Sequence, residues 1–256
     1  MTKDIGGVIY PIIFSQLQPR IGFGWATRVI AFIMLGTSAV ALLGMRQRFP
    51  ASTRREIFDL KALRDLPFFV YCLGLFFGFM GIYIAFFYIE IYALTVSHTD
   101  TNLTFYLLPI INATSTLGRL LPNFFADKIG PLNIQIPFAL IAALLCFCWI
   151  SVTTTPGLIV LCVLYGFFCG SFVSLPGPTV VTLSPNLGVI GTRIGMSGAF
   201  AGTGLLIGSP IAGAILGGPG GWTGLKVWCG LLLAVSGLCS LGARALKTGI
   251  VFRVKA

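Results

Sequence analysis

Apolar residues run along this chain in long unbroken blocks separated by short polar joints. Six blocks extend approximately from Trp25 to Met45, Pro67 to Leu94, Leu103 to Ala126, Asn133 to Val152, Pro156 to Leu175 and Ile194 to Leu216. A seventh, shorter block runs from Leu225 to Leu241. A bilayer core about 30 Å thick needs roughly 20 apolar residues in a helix, so the six have spanning length. None alternates with period two, so they predict helices rather than barrel strands. Ahead of them, Ile5 to Leu17 is too short to span and ends in Gln16-Leu17-Gln18-Pro19-Arg20, like the back half of a helix.

Composition sharpens this into an all-α polytopic membrane protein. Of 256 residues, 56% are hydrophobic and only 9% charged, with a mean hydropathy of +0.95. Soluble domains carry roughly 25% charged residues. That excludes a water-soluble globule, and equally a disordered chain, a disulfide-stapled domain and a coiled coil. Met1-Thr2-Lys3-Asp4 leads straight into an apolar segment containing Pro11, which does not read as a cleavable signal peptide.

The net charge of +10 points first to orientation, not to nucleic acid. Arg46, Arg48, Arg54, Arg55, Lys61 and Arg64 crowd one loop, which is therefore expected on the cytoplasmic side. Alternating from there puts Arg119, Lys128, Arg193, Arg244, Lys247, Arg253, Lys255 and Lys3 on or near the same side. Of the seventeen basic residues, only Arg20, Arg28 and Lys226 fall at the opposite face. The expected organisation is a helical segment over 1–45, a cytoplasmic loop over 46–66, a six-helix block over 67–243 and a cytoplasmic tail over 244–256.

Polar groups inside apolar helices mark candidate sites, because they are expensive in lipid. Asn112, Ser115, Arg119 and Asn123 recur at i, i+3, i+7 and i+11, with Thr116 beside them, drawing a stripe along one helix face. Pro109 favours a bend above it. Arg119 lies about 12 Å of helix rise before Asp127, within snorkelling reach of the polar end. Two readings stand for it: a cation for an anionic substrate, or a structural arginine at a gate. Tyr83, Phe86, Phe87 and Glu90 share a face at i, i+3, i+4 and i+7, an aromatic wall with one carboxylate. That carboxylate either carries a coupling proton or sits solvated at interfacial depth.

Other features argue for packing. Gly74/Gly78, Gly166/Gly170, Gly198/Gly202, Gly204/Gly208 and Gly213/Gly217 are small-xxx-small pairs that let helices approach closely. Pro176-Gly177-Pro178 reads as a helix breaker. The seven cysteines all lie in apolar stretches; Cys146 and Cys148, two apart, point to different sides and cannot chelate together. His98 is the sole histidine and falls in a loop, and no nucleophile elbow or phosphate-binding loop occurs. No metal, cofactor or enzyme chemistry is expected. Asn102-Leu103-Thr104 is an outward sequon hard against the membrane, while Asn112-Ala113-Thr114 is intramembrane and therefore fortuitous.

Asn123-x-x-x-Asp127-Lys128-x-Gly130 resembles the Gly-x-x-x-Asp-(Arg/Lys)-x-Gly loop motif of the major facilitator superfamily, with Asn123 in place of the first glycine. Gly6-Gly7-x-x-x-Pro11 with Gly22-Phe23-Gly24-Trp25-Ala26-x-Arg28 resembles the fifth-to-sixth helix turn of its monocarboxylate-porter-like, fungal-type members. Gly118-Arg119 with Ala126-Asp127 resembles their eighth helix, and Arg193-x-Gly195-Met196 their eleventh. The resemblance implies the end of helix five, helix six, and helices seven to twelve as the C-terminal half. It also implies secondary transport by alternating access of a small solute, a monocarboxylate or related organic anion. Fungal-type relatives also include carriers of riboflavin and other vitamins. Animal members carry an aspartate one turn before the arginine; Ser115 stands there, so only Arg119 carries over. On this reading helices one to four lie outside the chain, and a missing half or a partner half covers the stripe. The remaining alternative is a half-transporter or membrane subunit that moves nothing by itself.

Overall fold

The computed structural model describes residues 2–44, 61–186 and 188–249. Of the basic loop and tail, Arg46, Arg48, Arg54, Arg55, Arg253 and Lys255 lie outside the described residues. The chain divides into two compact units, residues 1–54 and 55–256. Six of the described helices are long and apolar enough to cross a membrane, and the protein is an all-α integral membrane protein.

The first unit is α1 (Thr2–Gly44), interrupted at Gly22, whose φ of 76° and ψ of 165° only glycine adopts without strain. The rings of Phe14 and Phe23 meet edge-on at 5.7 Å. Nine residues of straight helix would hold them about 13.5 Å apart, so the backbone folds back at Gly22. The turn expected at Gly22-Phe23-Gly24 is therefore present. Just beyond it, the Arg28 guanidinium lies 4.9 Å over the Trp25 ring.

The second unit holds α2 (Leu66–Thr95), α3 (Thr101–Ile129), α4 (Pro131–Cys148), α5 (Thr155–Ser174), α6 (Pro176–Leu183), α7 (Ile190–Gly217) and α8 (Gly221–Thr248). A 3-10 turn over Ala62–Arg64 leads into α2, and another over Trp149–Ser151 extends α4. α2 is the central pillar, packed on α7 and α8; α3 packs on α5, and α4 on α8.

Two expectations are corrected and a third is extended. The block at Leu225 to Leu241 is not short: α8 has 28 residues, because Gly221–Gly224 and Gly242–Thr248 extend the helix at both ends. α3 is long but not among the helices apolar enough to span on composition, since its polar stripe dilutes it. Pro176-Gly177-Pro178 ends α5 at Ser174 as its sequence indicates, but the path stays helical: Leu175 keeps helical angles and Pro176 opens α6, the position where a missing N–H costs nothing.

Glycine sets the closest approaches. A Cβ at Gly118 would overlap the Phe167 carbonyl, and one at Gly170 the Ser115 carbonyl, so α3 and α5 touch backbone to backbone. Gly204 and Gly208 bring α7 equally close to the Phe76 and Met80 carbonyls of α2. Gly198 and Gly202, on the other side of α7, have nothing within 4 Å. Cys146 is buried and Cys148 exposed, as their spacing requires. The Cys146 and Cys229 sulfurs lie 3.3 Å apart between α4 and α8.

Candidate functional site

The aromatic wall is real and longer than the sequence indicates. Along α2, Tyr83 meets Phe86 at 5.4 Å and Phe79 and Phe87 at 6.3 Å each. The wall continues onto α5, where Phe172 lies 6.0 Å from Phe79 and Tyr165 lies 6.3 Å from Phe86. Two details seat it. A Cβ at Gly78 would overlap the Phe172 ring, and the Tyr165 hydroxyl donates to the Ile82 carbonyl at 2.8 Å. Phe87 is exposed and Glu90 is half-buried. Glu90 makes no hydrogen bond or ion pair among the described residues, so the structure does not pair it with Arg119.

The stripe on α3 divides. Ser115 is buried against α5. Asn112 donates to the Leu108 carbonyl at 3.2 Å and Thr116 to the Asn112 carbonyl at 3.1 Å, both within their own helix. Asn123 donates to the Ser174 hydroxyl of α5 at 3.4 Å. Arg119 is half-buried. The expectation that nothing in the chain covers this stripe is thus corrected at Ser115 and Asn123, because α5 lies across that flank of α3.

The loop motif closes α3. Gly130 has φ 102°, a left-handed value that suits glycine, and its N–H bonds the Ala126 carbonyl at 2.8 Å. Lys128 is exposed in the last turn, where a cation suits the helix dipole; the Asp127 side chain lies outside the described residues. Asn133 then donates to the Ile129 carbonyl at 2.8 Å and accepts from Arg244 of α8.

Sequence reasoning passed over three polar clusters. Arg193, buried at the start of α7, donates to Asp65 at 2.7 Å and to the Leu183 carbonyl at 3.2 Å. Its guanidinium lies 4.9 Å over the Phe68 ring. It thereby joins the beginning of α2, the end of α6 and the beginning of α7. Asp65 sits at the N-cap of α2 without capping it; its carboxylate is committed to Arg193. Buried Gln135 of α4 accepts from Tyr71 at 2.8 Å and Thr179 at 3.1 Å, tying α4 to α2 and α6.

At the opposite end, Lys226 of α8 is only 3% exposed. Its ammonium stands 3.8 Å over the Tyr92 ring and 5.4 Å from that of Trp149, and donates to the Trp149 carbonyl at 3.0 Å. Trp222 packs edge-on to Tyr92 at 5.0 Å. The sequence held one signal for this cluster: Lys226 broke the charge bias. Among the described residues, no group of three His, Cys, Asp or Glu side chains is placed to hold a metal ion.

Residues 3–189 match the model of the Major Facilitator Superfamily. The chain is 43% identical to the MFS-type transporter dbaD of Emericella nidulans, across 92% of this chain and 53% of that protein. It is 38% identical to the aspyridones efflux protein apdF of the same organism, across 96% and 50%. It is 33% identical to the agnestins efflux protein AgnL12 of Paecilomyces divaricatus, across 98% and 58%. These relatives are named as transporters and efflux proteins, not as enzymes, and the chain spans little more than half their length. Helix content, loop motif and family match converge: the chain belongs to the major facilitator superfamily.

Proposed function

We propose that this chain supplies the C-terminal half of a secondary transporter that moves a small organic weak acid out of the cell by alternating access. The observation that carries the reading is the α2 wall, where Phe79, Tyr83, Phe86 and exposed Phe87 stack beside partnerless Glu90. Aromatic faces suit a flat, largely apolar solute, and a single unpaired carboxylate in an apolar helix suits a coupling proton. Arg119 on α3 is the cation assigned to the solute's acidic group, with Asn112 and Ser115 on the same helix. In such carriers the solute sits near the midplane between two halves, so a second half completes the cavity.

The names of the relatives, an aspyridones efflux protein and an agnestins efflux protein, support efflux over uptake of a lactate-type or riboflavin substrate. The loop 46–66 and the C-terminal end of the chain, where α8 runs to Thr248 rather than giving way to a tail at 244, are assigned to the cytoplasm of a plasma-membrane protein by their basic residues. The test uses inside-out vesicles bearing this chain together with a complementary six-helix half, under an imposed pH gradient. Labelled aromatic acids, lactate and riboflavin are offered in turn. Gradient-dependent uptake of the aromatic acid that is lost in Glu90→Gln is the expected result. Uptake of none of the three sinks the transporter reading, and uptake of lactate alone returns it to a monocarboxylate carrier.

A further inference from the structure

Helices α4 and α5 part beside the turn that joins them, and the gap is a groove of about 470 Å³. Leu145 and Cys148 on the α4 side meet Val160, Leu161 and Leu164 of α5 around it. Val152 and Gly157 stand at its mouth. The volume falls in the range of small-molecule sites, about 300–1,000 Å³. From Pro156 to Leu164 the groove follows α5 for about 12 Å of helical rise, which fits within one leaflet of an apolar core about 30 Å thick.

Leu145 and Leu161 close its inner side. Behind them lies a separate small cavity bounded in part by Ile111, Cys146 and Tyr165, and Tyr165 belongs to the aromatic wall. The groove therefore opens away from that wall, on a flank where Cys148, Val160 and Leu164 are exposed. An exposed apolar flank on membrane-length helices is covered by lipid.

Charge and shape select the lipid. Residues 149–157, the turn at the mouth, include no charged side chain. Lys226 reaches the Trp149 carbonyl of this turn but is buried in its rings. The exposed charge beside the turn is an acid: Asp100 follows Thr99, whose hydroxyl meets that of Thr155 at 2.9 Å. A phosphate at the mouth would find no cation and would face a carboxylate, an unfavourable like-charge pairing. What the mouth offers is a neutral hydroxyl. Thr154 stands at the N-cap of α5 without capping it, and its hydroxyl makes no hydrogen bond among the described residues. That oxygen would lie 3.1 Å from a Cβ placed on Gly157, so it edges the groove. A rigid ring system loses few rotatable bonds in such a slot, whereas a flexible acyl chain gives up many.

We propose that this groove binds a membrane sterol, with its rings between α4 and α5 and its single hydroxyl bonded to Thr154. The proposal is independent of which solute the chain moves.

The test places the intact chain in phosphatidylcholine nanodiscs with a diazirine-bearing cholesterol and maps the labelled peptides by mass spectrometry. Label is expected on residues 145–164 and is displaced by excess unlabelled cholesterol. Val160→Trp fills the groove from its exposed rim and should abolish that label. Thr154→Val should lower the apparent affinity for cholesterol about fivefold, the worth of one neutral hydrogen bond, while unfolding at the parent temperature in sterol-free phosphatidylcholine. Undiminished labelling in Val160→Trp overturns the proposal, as does an unchanged affinity in Thr154→Val. Labelling of 145–164 by a diazirine-bearing phosphatidylcholine that excess cholesterol does not displace marks an acyl-chain groove and overturns it too. If Val160→Trp fails to fold, Cys148→Trp fills the same groove from the α4 side, and undiminished labelling there is equally decisive against the proposal.

Discussion

The two ends of the second unit each bury a cation, and they solve the problem in opposite ways. At one end Arg193 is held by a carboxylate, a carbonyl and a ring face drawn from α2 and α6. At the other, Lys226 has no acid at all; two ring faces and the carbonyl of Trp149 surround it. That carbonyl belongs to the turn extending the C-terminus of α4, so the helix dipole adds negative potential. The contrast shows what each cation holds in place. Arg193 has a charged partner that its removal would strand, whereas Lys226 has only groups that are content without it.

Four variants probe the contrast through unfolding in detergent. Reversing the sign at the ring cage has the largest expected effect: Lys226→Glu sets a carboxylate against two negative ring faces and a carbonyl. A loss of about 4 kcal/mol or more, seen as failure to recover a monodisperse protein, is expected. Arg193→Met leaves Asp65 without its cation and the Leu183 carbonyl without its donor, and costs about 2–3 kcal/mol, since Asp65 keeps some contact with water. An unfolding temperature equal to that of the parent would show that the ion pair holds nothing. Asp65→Asn breaks the charge pairing but frees a side chain that can cap α2; a smaller loss of about 1 kcal/mol is expected. A cost as large as that of Arg193→Met would show that capping gives no compensation. Lys226→Met keeps the apolar stem between the rings and strands no acid, so a change within about 1 kcal/mol is expected. A loss matching Arg193→Met would erase the distinction between the two ends.

Much of the architecture was legible because it rests on local signals. Blocks of apolar residues gave the membrane helices to within about a turn, except α8, which runs on from Leu241 to Thr248, and Gly22 and Gly130 stand where backbone angles demand glycine. The i, i+3, i+4 spacing placed Tyr83, Phe86 and Phe87 on one wall, which the ring contacts confirm. What escaped was long-range partnership. Nothing near Gln135 in sequence points to Tyr71 or Thr179, which lie 64 and 44 positions away. Likewise the stripe on α3 was visible as a stripe, but which flank α5 would cover depends on Gly118 meeting the α5 backbone and on Gly166 and Gly170 meeting that of α3. Helical periodicity reports that a face is special and is silent on what will lie against it.

The two glycine flanks of α7 make that helix an unusual measuring instrument. On one flank Gly204 and Gly208 are pressed into α2, so added atoms there report only on the packing already present. On the other, Gly198 and Gly202 have free space around them, and a methyl group costs the isolated unit little beyond what alanine gains in helix propensity. Any penalty recorded there in the membrane therefore registers a body outside this unit, and its size gauges how near that body comes.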